Sequence, residues 1–487
     1  LFSPSDKLYR TSIQPLVFPP EWDLAISSCT DASTDTHVIF ICGPKGTGKS
    51  TFAKILLNKI LLESTGAATP HGVMLLDLDP GQPEYSPPGQ LSLIHIKEPN
   101  FGPPFSHPVS GYINKTLRAH SIGAISPNSD PAFYKECALD LFSEYCKLLS
   151  YNPNYPLVIN TPGWVLGTGL EILVDLIENI RPTDIIYMSL DGPSDVVETL
   201  RETEISKTFT TLPSHQGEHS IRTAAQLRQM QYISYFHLNP IITDKLSWNS
   251  NPLTSVRPYE VKYLGEPSGI LGIICYGENS SADLLFEALN GSLVSVVVLD
   301  DLSAIPGLST QSGSILDESN NENHVDSHKS LQGPVIIRSP EDIPYFNPLN
   351  STSLHPKKSR SLGLALIRGI DVSRHRIQVI TTISHSVIEE VQEARMPVVF
   401  VHGKLDSPGW AYTEQLLQAK PLRNTKQRTY QSAVPNNVFI KNSGILVDEK
   451  DNDVYGGMFR NIPWVERLEG HQGRSVGSFV WRVRRDL

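Results

Sequence analysis

The sequence contains few cysteines, few charged residues and no long hydrophobic run. Its 5 cysteines are scattered over 487 residues and none forms a Cys-x-x-Cys pair, so neither a structural zinc site nor a disulfide framework is predicted. A reducing compartment is the simplest setting for such a chain. No apolar run reaches the roughly 20 residues of a membrane helix, and the residues from Leu1 to Pro4 show neither an initiator methionine nor a signal-peptide pattern. We therefore expect a soluble intracellular protein without a membrane partner, and we expect that an upstream portion precedes Leu1.

Basic residues are outnumbered by acidic ones, since 41 Lys and Arg against 51 Asp and Glu give a formal net charge of −10. This balance argues against a protein that coats polyanions unspecifically, so a nucleic-acid site would have to be a local basic patch on an acidic body. Hydrophobic residues make up 39% of the chain, which is enough for several cores and argues against wholesale disorder. The length predicts two to four domains.

Strand and helix patterns alternate along residues 36–250. Continuous apolar runs predict buried strands, and segments of helical character lie between them; the strands are at 37–42, 73–79, 156–160 and 184–190, and the helices at 51–62, 137–149 and 169–179. This alternation is typical of an α/β fold with a doubly wound, mostly parallel sheet. We assign residues 36–250 to such a domain, and residues 1–35, which are rich in Pro and Ser, to an N-terminal segment or linker.

The second half of the sequence is predicted to form a β-rich domain over residues 251–470. Strand-like runs occur at 269–276, 294–299, 335–338, 362–367, 377–381 and 398–401, with only one or two helical stretches between them. Residues 307–333 are predicted to be a flexible insertion because they are rich in Ser, Asn, Glu and His and poor in apolar residues. His324 and His328 within it are interpreted as solvated loop residues rather than metal ligands.

Two basic segments near the C-terminus can each be interpreted in two ways. Residues 471–487 mix basic and aromatic side chains, among them Arg474, Trp481 and Arg485. Such a tail either contacts RNA or a partner groove, or it is a solvated, frayed end. The stretch from Lys420 to Arg428 is either a surface loop or an RNA-facing patch.

The most specific motif is a glycine-rich turn between the first predicted strand and helix, which we call the phosphate loop. It matches G-x-x-x-x-G-K-[ST] over Gly43, Pro44, Lys45, Gly46, Thr47, Gly48, Lys49 and Ser50, with Thr51 next in the helix. Glycine lets such a loop fold tightly around phosphates, and the helix that follows directs its positive N-terminus at the same anion. Lys49 can reach the β- and γ-phosphates of ATP, and the Ser50 hydroxyl can hold Mg²⁺.

Two aspartates, Asp77 and Asp79, end the second predicted strand and share one of its faces. Asp79 lies nearer the C-terminal end, where open α/β sheets place their ligands. A carboxylate there can accept a hydroxyl proton or hold a metal-bound water, and Gln82 could orient the nucleophile or such a water. In isolation the segment would be interpreted as a strand-ending turn, with Asp77 as a structural acid. Next to a phosphate loop we favour the functional interpretation of Asp79.

A polar turn of Thr161, Pro162, Gly163 and Trp164 follows the third predicted strand. Thr161 supplies a hydroxyl group, and Gly163 allows the backbone to approach a ligand closely. The Trp164 ring could stack on a base, a contact worth about 1–3 kcal/mol, or it could be buried and lock the turn; the sequence favours neither. The strand carries no acidic box here, which argues mildly against a motor ATPase.

Together these motifs resemble the RNA 5′-hydroxyl polynucleotide kinases, a P-loop family. The resemblance rests on the phosphate loop, on Leu78 to Gln82 and on Thr161 to Trp164, and it covers residues 37–240 well, with further agreement at 123–131 and 222–237. Within the family, the Asp-x-Asp-Pro-Gly-Gln form and the Ile-Ser-Pro segment are more similar to the branch that acts in pre-ribosomal RNA processing. They are less similar to the branch of mRNA 3′ processing and tRNA splicing.

The resemblance implies transfer of the γ-phosphate of ATP to an RNA 5′-hydroxyl end, with Mg²⁺ held by Ser50 and Asp79. It implies that Asp79 activates the hydroxyl and that Thr161 to Trp164, together with Gln82, hold the RNA end as a clasp. Arg222 and Arg228 would belong to a lid that closes over the triphosphate. Six residues on an ideal helix are about 240° apart, so either the segment is not a regular helix or only one arginine enters the site. A solvated helix face is the alternative.

The resemblance also implies a partner and a compartment. The partner would be an endoribonuclease of the HEPN type, which cuts the second internal transcribed spacer of pre-ribosomal RNA and leaves the 5′-hydroxyl end that the kinase phosphorylates. The compartment would be the nucleus, in the nucleolus. Two alternatives remain beside this ATP-dependent kinase: an ATP-binding structural subunit without turnover, and a P-loop ATPase that uses hydrolysis to drive motion.

Overall fold

The computed structural model describes residues 18–30, 37–64, 72–111, 113–151, 155–203, 208–215, 222–239, 246–277, 281–306, 337–346 and 353–418. Within these ranges the chain forms two β-sheets with helices packed on them. The predicted insertion at 307–333 with its two histidines, the basic stretch from Lys420 to Arg428 and the predicted tail at 471–487 lie outside the described residues. In the part of the chain that the structure describes, no helix is both long and apolar enough to cross a membrane.

The first sheet is built from the strands of the N-terminal half. They are β1 (Val38–Cys42), β2 (Val73–Asp77), β3 (Gln90–Ile96), β4 (Lys115–Ser121), β5 (Leu157–Asn160), β6 (Asp184–Met188) and β7 (Thr208–Leu212). Their order in the sheet is β4-β3-β2-β5-β1-β6-β7. Five neighbouring strands are parallel to one another: β2, β5, β1, β6 and β7. At one edge of the sheet, β3 pairs antiparallel with both β2 and β4. The predicted α/β fold with a mostly parallel sheet is confirmed.

Helices cover both faces of the first sheet. They are α1 (Pro20–Thr30), α2 (Lys49–Ser64), α3 (Pro131–Leu149), α4 (Thr168–Ile180) and α5 (Ser194–Glu202). The next helix, α6 (Ala224–His237), packs instead on residues of the second half, among them Leu364 and Leu366. Alternate residues of β1 point to opposite layers: Phe40 packs in a core cluster with α3 and α4, while Ile39 and Ile41 pack in a second cluster with α1 and α2. Because β1 is buried on both faces, its sequence is a continuous apolar run.

The structure differs from the predicted N-terminal segment at residues 20–30, which form α1. This helix buries Trp22, Ile26 and Cys29 and leaves most of its other residues at least partly exposed. So few buried positions give a weak periodic signal, and tertiary contacts stabilise the helix instead. The antiparallel strands β3 and β4 and the edge strand β7 are likewise absent from the prediction, because polar residues interrupt their sequences and they contain no continuous apolar run.

The second sheet confirms the predicted β-rich character of the second half. Its strands are β8 (Tyr259–Lys262), β9 (Gly272–Cys275), β10 (Leu293–Leu299), β11 (Ile337–Arg338), β12 (Pro344–Phe346), β13 (Ser359–Asp371), β14 (Arg376–Thr381) and β15 (Val398–His402). Their order is β11-β12-β9-β15-β10-β13-β14-β8. The short helix α7 (Leu285–Leu289) and the helices α8 (His385–Glu393) and α9 (Gly409–Gln418) accompany them. The strands β8 and β12 were not predicted.

The two sheets contact each other along β4. Arg118 on β4 donates hydrogen bonds to the backbone carbonyls of Pro356 (2.7 Å) and Ser359 (3.1 Å), next to and at the start of β13. The hydroxyls of Ser121 on β4 and Ser295 on β10 lie 2.6 Å apart. The second sheet therefore covers the edge of the first, which would otherwise present unpaired backbone groups.

Candidate active site

The phosphate loop connects β1 to α2 in a conformation that requires glycine. Gly43 has φ +141° and Gly48 has φ +97°, values that L-residues with a side chain rarely adopt. A Cβ at Gly43 would lie 3.0 Å from the backbone of Met188, so the loop passes directly beside the end of β6. A Cβ at Gly46 would meet no atom within 4 Å, so the exposed tip of the loop borders open space. An open loop at the N-terminus of a helix is the kind of position at which phosphates bind.

The remaining residues of the phosphate loop either brace it or lie at its surface. The buried Thr47 hydroxyl donates to the Pro44 carbonyl at 2.9 Å, and the Lys49 ammonium donates to the same carbonyl at 2.8 Å. Lys45 is exposed at the tip, and Ser50 and Thr51 lie half-buried in the first turn of α2. The unpaired N–H groups of that turn and the Ser50 hydroxyl are the donor set that a phosphate–Mg²⁺ pair requires.

Lys49 and Asp79 influence each other electrostatically. Burial lowers the pKa of Lys49, and the negative charge of Asp79 opposes that change. Burial raises the pKa of Asp79, while N–H groups of the following turn and the charges of Lys49 and Lys45 oppose it. The acid at the end of β2 and the two lysines of the phosphate loop therefore lie at one edge of the sheet, as the motif spacing predicts.

Asp79 lies in a tight segment that we call the acidic turn, Asp77–Glu84. Its Oδ1 atom accepts hydrogen bonds from the backbone N–H groups of Gly81 (2.9 Å) and Gln82 (3.3 Å). Both bonds end on one oxygen, so the other carboxylate oxygen, Oδ2, is the one suited to accept a proton from a hydroxyl group. Gln82 is partly exposed beside it.

The polar turn after β5, which we call the clasp turn (Thr161–Trp164), packs directly on the phosphate loop. A Cβ at Gly163 would lie 2.5 Å from the Lys45 Cα atom and 2.6 Å from its backbone nitrogen. Thr161 is fully buried, and its hydroxyl donates to the Ile41 carbonyl of β1 at 2.9 Å. That hydroxyl proton is used within the protein, so Pro162, Gly163 and the half-buried Trp164 are the parts of the turn that face a ligand more openly.

The two predicted lid arginines do not lie on one regular helix. Thr223 is the N-cap of α6 and forms a capping box with Gln226, so Arg222 precedes the helix and Arg228 lies within it. The segment from Arg222 to Arg228 is therefore not one regular helix, and the entry of one or both arginines into the site stays a prediction. The Arg228 Nε atom lies 2.6 Å from an Asp406 carboxylate oxygen, in the segment after β15. The structure thus joins Arg228 to the second sheet.

Two residues that support the site are not indicated by any sequence motif. Trp22 on α1 is fully buried, and one of its ring carbons lies 2.9 Å from where a Gly48 Cβ would be. Gln231 on α6 donates to the carbonyls of Pro83 (2.7 Å) and Ser86 (2.8 Å), close to the acidic turn. Both act across long sequence separations, and neither belongs to a local motif.

Comparisons with known proteins agree with this geometry. The family model described as "mRNA cleavage and polyadenylation factor CLP1 P-loop" matches residues 43–238. Along its whole length the chain is 37% identical to a protein named polynucleotide 5′-hydroxyl-kinase GRC3 from Gibberella zeae, covering 66% of that relative. It is 38% identical to the protein of the same name from Aspergillus terreus, covering 64% of it, and 35% identical to that from Aspergillus oryzae, covering 63%.

A solved structure shows the same fold at low sequence identity. The wild-type Clp1p structure in complex with Pcf11p (454–563) is similar with a TM-score of 0.50 and 14% identity, over 79% of each chain. The family model and the named relatives agree with the resemblance that the motifs indicate, and the solved structure agrees with the fold. The chain spans slightly less than two thirds of the length of the curated relatives it matches.

Proposed function

We propose that the protein, whose residues 43–238 match the CLP1 P-loop family model, is an ATP-dependent polynucleotide kinase that phosphorylates RNA 5′-hydroxyl ends. The observation that carries the proposal is that Lys49 and Asp79 lie at the carboxyl edge of the first sheet, close enough for the charge of each to affect the pKa of the other. A phosphate-binding lysine beside a carboxylate with a suitable free oxygen is the arrangement required for transfer to a hydroxyl group. The names of the relatives support the same reaction.

Each group of site residues has its own role in the proposed phosphate transfer. The loop amides and Lys49 bind and orient the phosphates, and the Asp79 carboxylate accepts the proton of the incoming 5′-hydroxyl group as that oxygen attacks. The clasp turn and Gln82 hold the RNA end, and lid arginines add positive charge near the transferring group. Bound Mg²⁺, for which Ser50 and Asp79 are the proposed ligands, would neutralise charge on the phosphates.

The biological setting follows as part of the same proposal. We propose that the RNA is the precursor of ribosomal RNA, that its 5′-hydroxyl end arises by cleavage in the second internal transcribed spacer, and that a HEPN-type endoribonuclease is the partner. The compartment would then be the nucleolus within the nucleus. The acidic segment Asp77 to Gln82 and the Ile125 to Pro127 segment support this branch through the resemblance described above.

The decisive experiment measures transfer of labelled γ-phosphate from ATP to two RNA oligonucleotides of the same sequence, one with a 5′-hydroxyl and one with a 5′-phosphate. The wild-type chain should label only the 5′-hydroxyl oligonucleotide. Lys49→Ala and Asp79→Asn should each lower transfer by at least about 100-fold, while circular dichroism and thermal unfolding remain close to those of the wild type.

Three results would contradict the proposal. Bound ATP that neither turns over nor labels RNA would favour the structural-subunit alternative. RNA-stimulated release of inorganic phosphate without labelled RNA would favour the ATPase. Full transfer by Asp79→Asn would show that Asp79 is not the base. Repeating the assay with a candidate HEPN nuclease tests whether the partner is needed.

A further inference from the structure

The strand that leads to Asp79 ends in a second carboxylate, Asp77, which the proposed reaction does not use. Asp77 is fully buried as the last residue of β2. We infer that Asp77 is a positioning residue that holds the backbone of Asp79, so that the free oxygen of the Asp79 carboxylate faces the RNA 5′-hydroxyl group. The inference rests on the proposed kinase function. It says that the buried Asp77 determines the orientation of Asp79, the proposed base.

The two oxygens of Asp77 bind different parts of the acidic turn. Oδ1 accepts from the backbone N–H of Asp79 at 3.3 Å, and Oδ2 accepts from the backbone N–H of Glu84 at 2.7 Å. One buried carboxylate thus holds both ends of the segment that contains Asp79 and Gln82. A buried N–H group without an acceptor is costly, so these bonds favour one backbone path for the turn.

A third donor connects Asp77 to the neighbouring strand. The Asn160 side-chain amide, at the end of β5, donates to Asp77 Oδ1 at 3.1 Å. This bond ties β2 to β5 at their carboxyl ends, next to the clasp turn. Asp77 therefore has two separable tasks: it links two strands through Asn160, and it supplies the acceptor for the N–H of Asp79.

The far end of the acidic turn is held by other elements. The Glu84 carboxylate forms an ion pair with Lys54 of α2, with 2.6 Å between the charged atoms, and its Oε1 atom lies 2.9 Å from His107. Gln231 of α6 donates to the Pro83 carbonyl at 2.7 Å. With this end attached to the helix that follows the phosphate loop, the Asp77 bonds determine where Asp79 lies relative to the bound phosphates.

The experiment separates the two tasks of Asp77. In Asp77→Asn the side chain has one acceptor oxygen and one amide group, so it cannot serve all three donors. Adding Asn160→Asp supplies an acceptor for that amide and restores the link between β2 and β5. The amide of Asn at position 77 then points toward residue 160, and the N–H of Asp79 still has no acceptor. Asn160→Ala is the matched control, since it removes the link between the strands and leaves Asp77 available to Asp79.

We expect that the loss of kcat among these variants does not correlate with their loss of thermal stability. The double variant Asp77→Asn/Asn160→Asp should recover most of the thermal stability lost in Asp77→Asn and keep KM for ATP within about three-fold of wild type, with kcat at least about 30-fold lower. Asn160→Ala should be less stable than wild type and keep kcat within about five-fold. If the double variant fails to fold, the comparison of Asp77→Asn with Asn160→Ala decides.

The outcomes that overturn the inference are distinct from failure of the function itself. If the wild type transfers phosphate and the double variant restores both stability and kcat, Asp77 only links strands and the inference is wrong. A loss of kcat in Asn160→Ala as large as in Asp77→Asn leads to the same conclusion. If the wild type transfers no phosphate to a 5′-hydroxyl RNA, the proposed function fails and the inference fails with it.

Discussion

Arg228 of α6 and Asp406 of the segment after β15 form an ion pair with 2.6 Å between Nε and Oδ2. Their side chains are 13% and 24% exposed, so the pair is largely removed from water. The same helix reaches the acidic turn through Gln231. A helix that belongs to the proposed lid is therefore held from two sides, by the second sheet and by the segment that carries Asp79.

Replacing Asp406 tests whether this ion pair is only structural. Asp406→Asn should lower the free energy of unfolding by about 1–3 kcal/mol, because it leaves a mostly buried guanidinium without its partner charge. Transfer by this variant should stay within about three-fold of wild type. Arg228→Ala should be destabilised to a similar degree and should also lose at least about ten-fold in kcat, because a lid arginine stabilises the transferring group.

Urea unfolding and labelled-phosphate transfer, measured on both variants, check the previous prediction. Equal transfer by Arg228→Ala and Asp406→Asn would remove Arg228 from the catalytic residues. Arg222 would then be the remaining candidate for the lid, since it precedes the helix and follows a different path.

Gly163 is expected to be essential because of its distance to the phosphate loop. A Cβ there would lie 2.5 Å from the Cα atom of Lys45, a contact between backbone groups that no side-chain rotation can relieve. Gly163→Ala should therefore weaken ATP binding by at least about ten-fold through displacement of the loop. Gly167→Ala, four residues later, is the control, since a Cβ there would meet no atom within 4 Å.

Equilibrium titration with a fluorescent ATP analogue measures both glycine variants. Gly167 has φ +56° and ψ −131°, a conformation that a residue with a side chain rarely adopts, so its replacement costs about 1–3 kcal/mol of stability, and we expect unchanged nucleotide affinity. If Gly163→Ala binds nucleotide as well as Gly167→Ala does, the clasp turn does not control the shape of the phosphate loop.

Trp22 should contribute strongly to stability although it lies near the start of the described chain. Its ring contacts Phe52 and His215 edge-on, its Nε1 donates to the Pro213 carbonyl at 2.9 Å, and it is fully buried. Trp22→Ala should lower the free energy of unfolding by about 3–5 kcal/mol. Leu24→Ala on the same helix should change it by less than about 0.5 kcal/mol, because Leu24 is 73% exposed. Chemical denaturation compares the two, and similar values would show that α1 is not anchored.

The contribution of His120 to the stability of the protein should fall as the pH drops below neutrality. Burial lowers the pKa of His120, its hydrogen bond to Asp140 (2.8 Å) opposes the change, and the nearby Arg118 charge reinforces it. The folded state therefore binds fewer protons at His120 than the unfolded state does. The stabilising contribution is present above the ordinary pKa of about 6.5 and is lost as the pH falls through the lower folded value.

Unfolding free energies measured between about pH 8 and pH 5 test this prediction. His120→Gln removes the titrating group and can still donate to Asp140, so the variant should gain stability relative to the wild type as the pH falls over this range. The pKa of Asp140 is itself lowered, since bonds from His120 and Arg118 outweigh the effect of burial. Its titration lies in a more acidic range, and parallel curves for wild type and variant would contradict the role of His120.

Those parts of the site that depend on a short stretch of chain are predictable from the sequence. The phosphate loop is specified within Gly43–Ser50, because its tight turn needs glycine and its charge comes from Lys49. The position of Asp79 follows from the end of a buried strand in an α/β sheet. The roles given to the individual site residues remain predictions until the variants are measured.

Other expectations depended on where a side chain points, which a pattern does not report. Thr161 was interpreted as a hydroxyl available to RNA, yet it donates to Ile41 inside the sheet. Arg228 was placed in the lid from the resemblance, and its partner Asp406 is 178 residues away. A contact between residues so far apart produces no periodic or local pattern, so it cannot be predicted from a single segment of the sequence.

The amino-acid sequence alone specifies a phosphate-binding loop and an acid at the end of the next strand. It also specifies a mostly parallel α/β sheet in the first half and a β-rich second half. Each of these depends on backbone sterics, glycine content or the alternation of apolar residues over a few positions. The packing of Trp22 against Gly48, the hold of Asp77 on Asp79 and the bond from Arg228 to Asp406 arise only when distant elements come together. They depend on folding in three dimensions because a buried donor, charge or ring takes whichever partner the completed core places beside it.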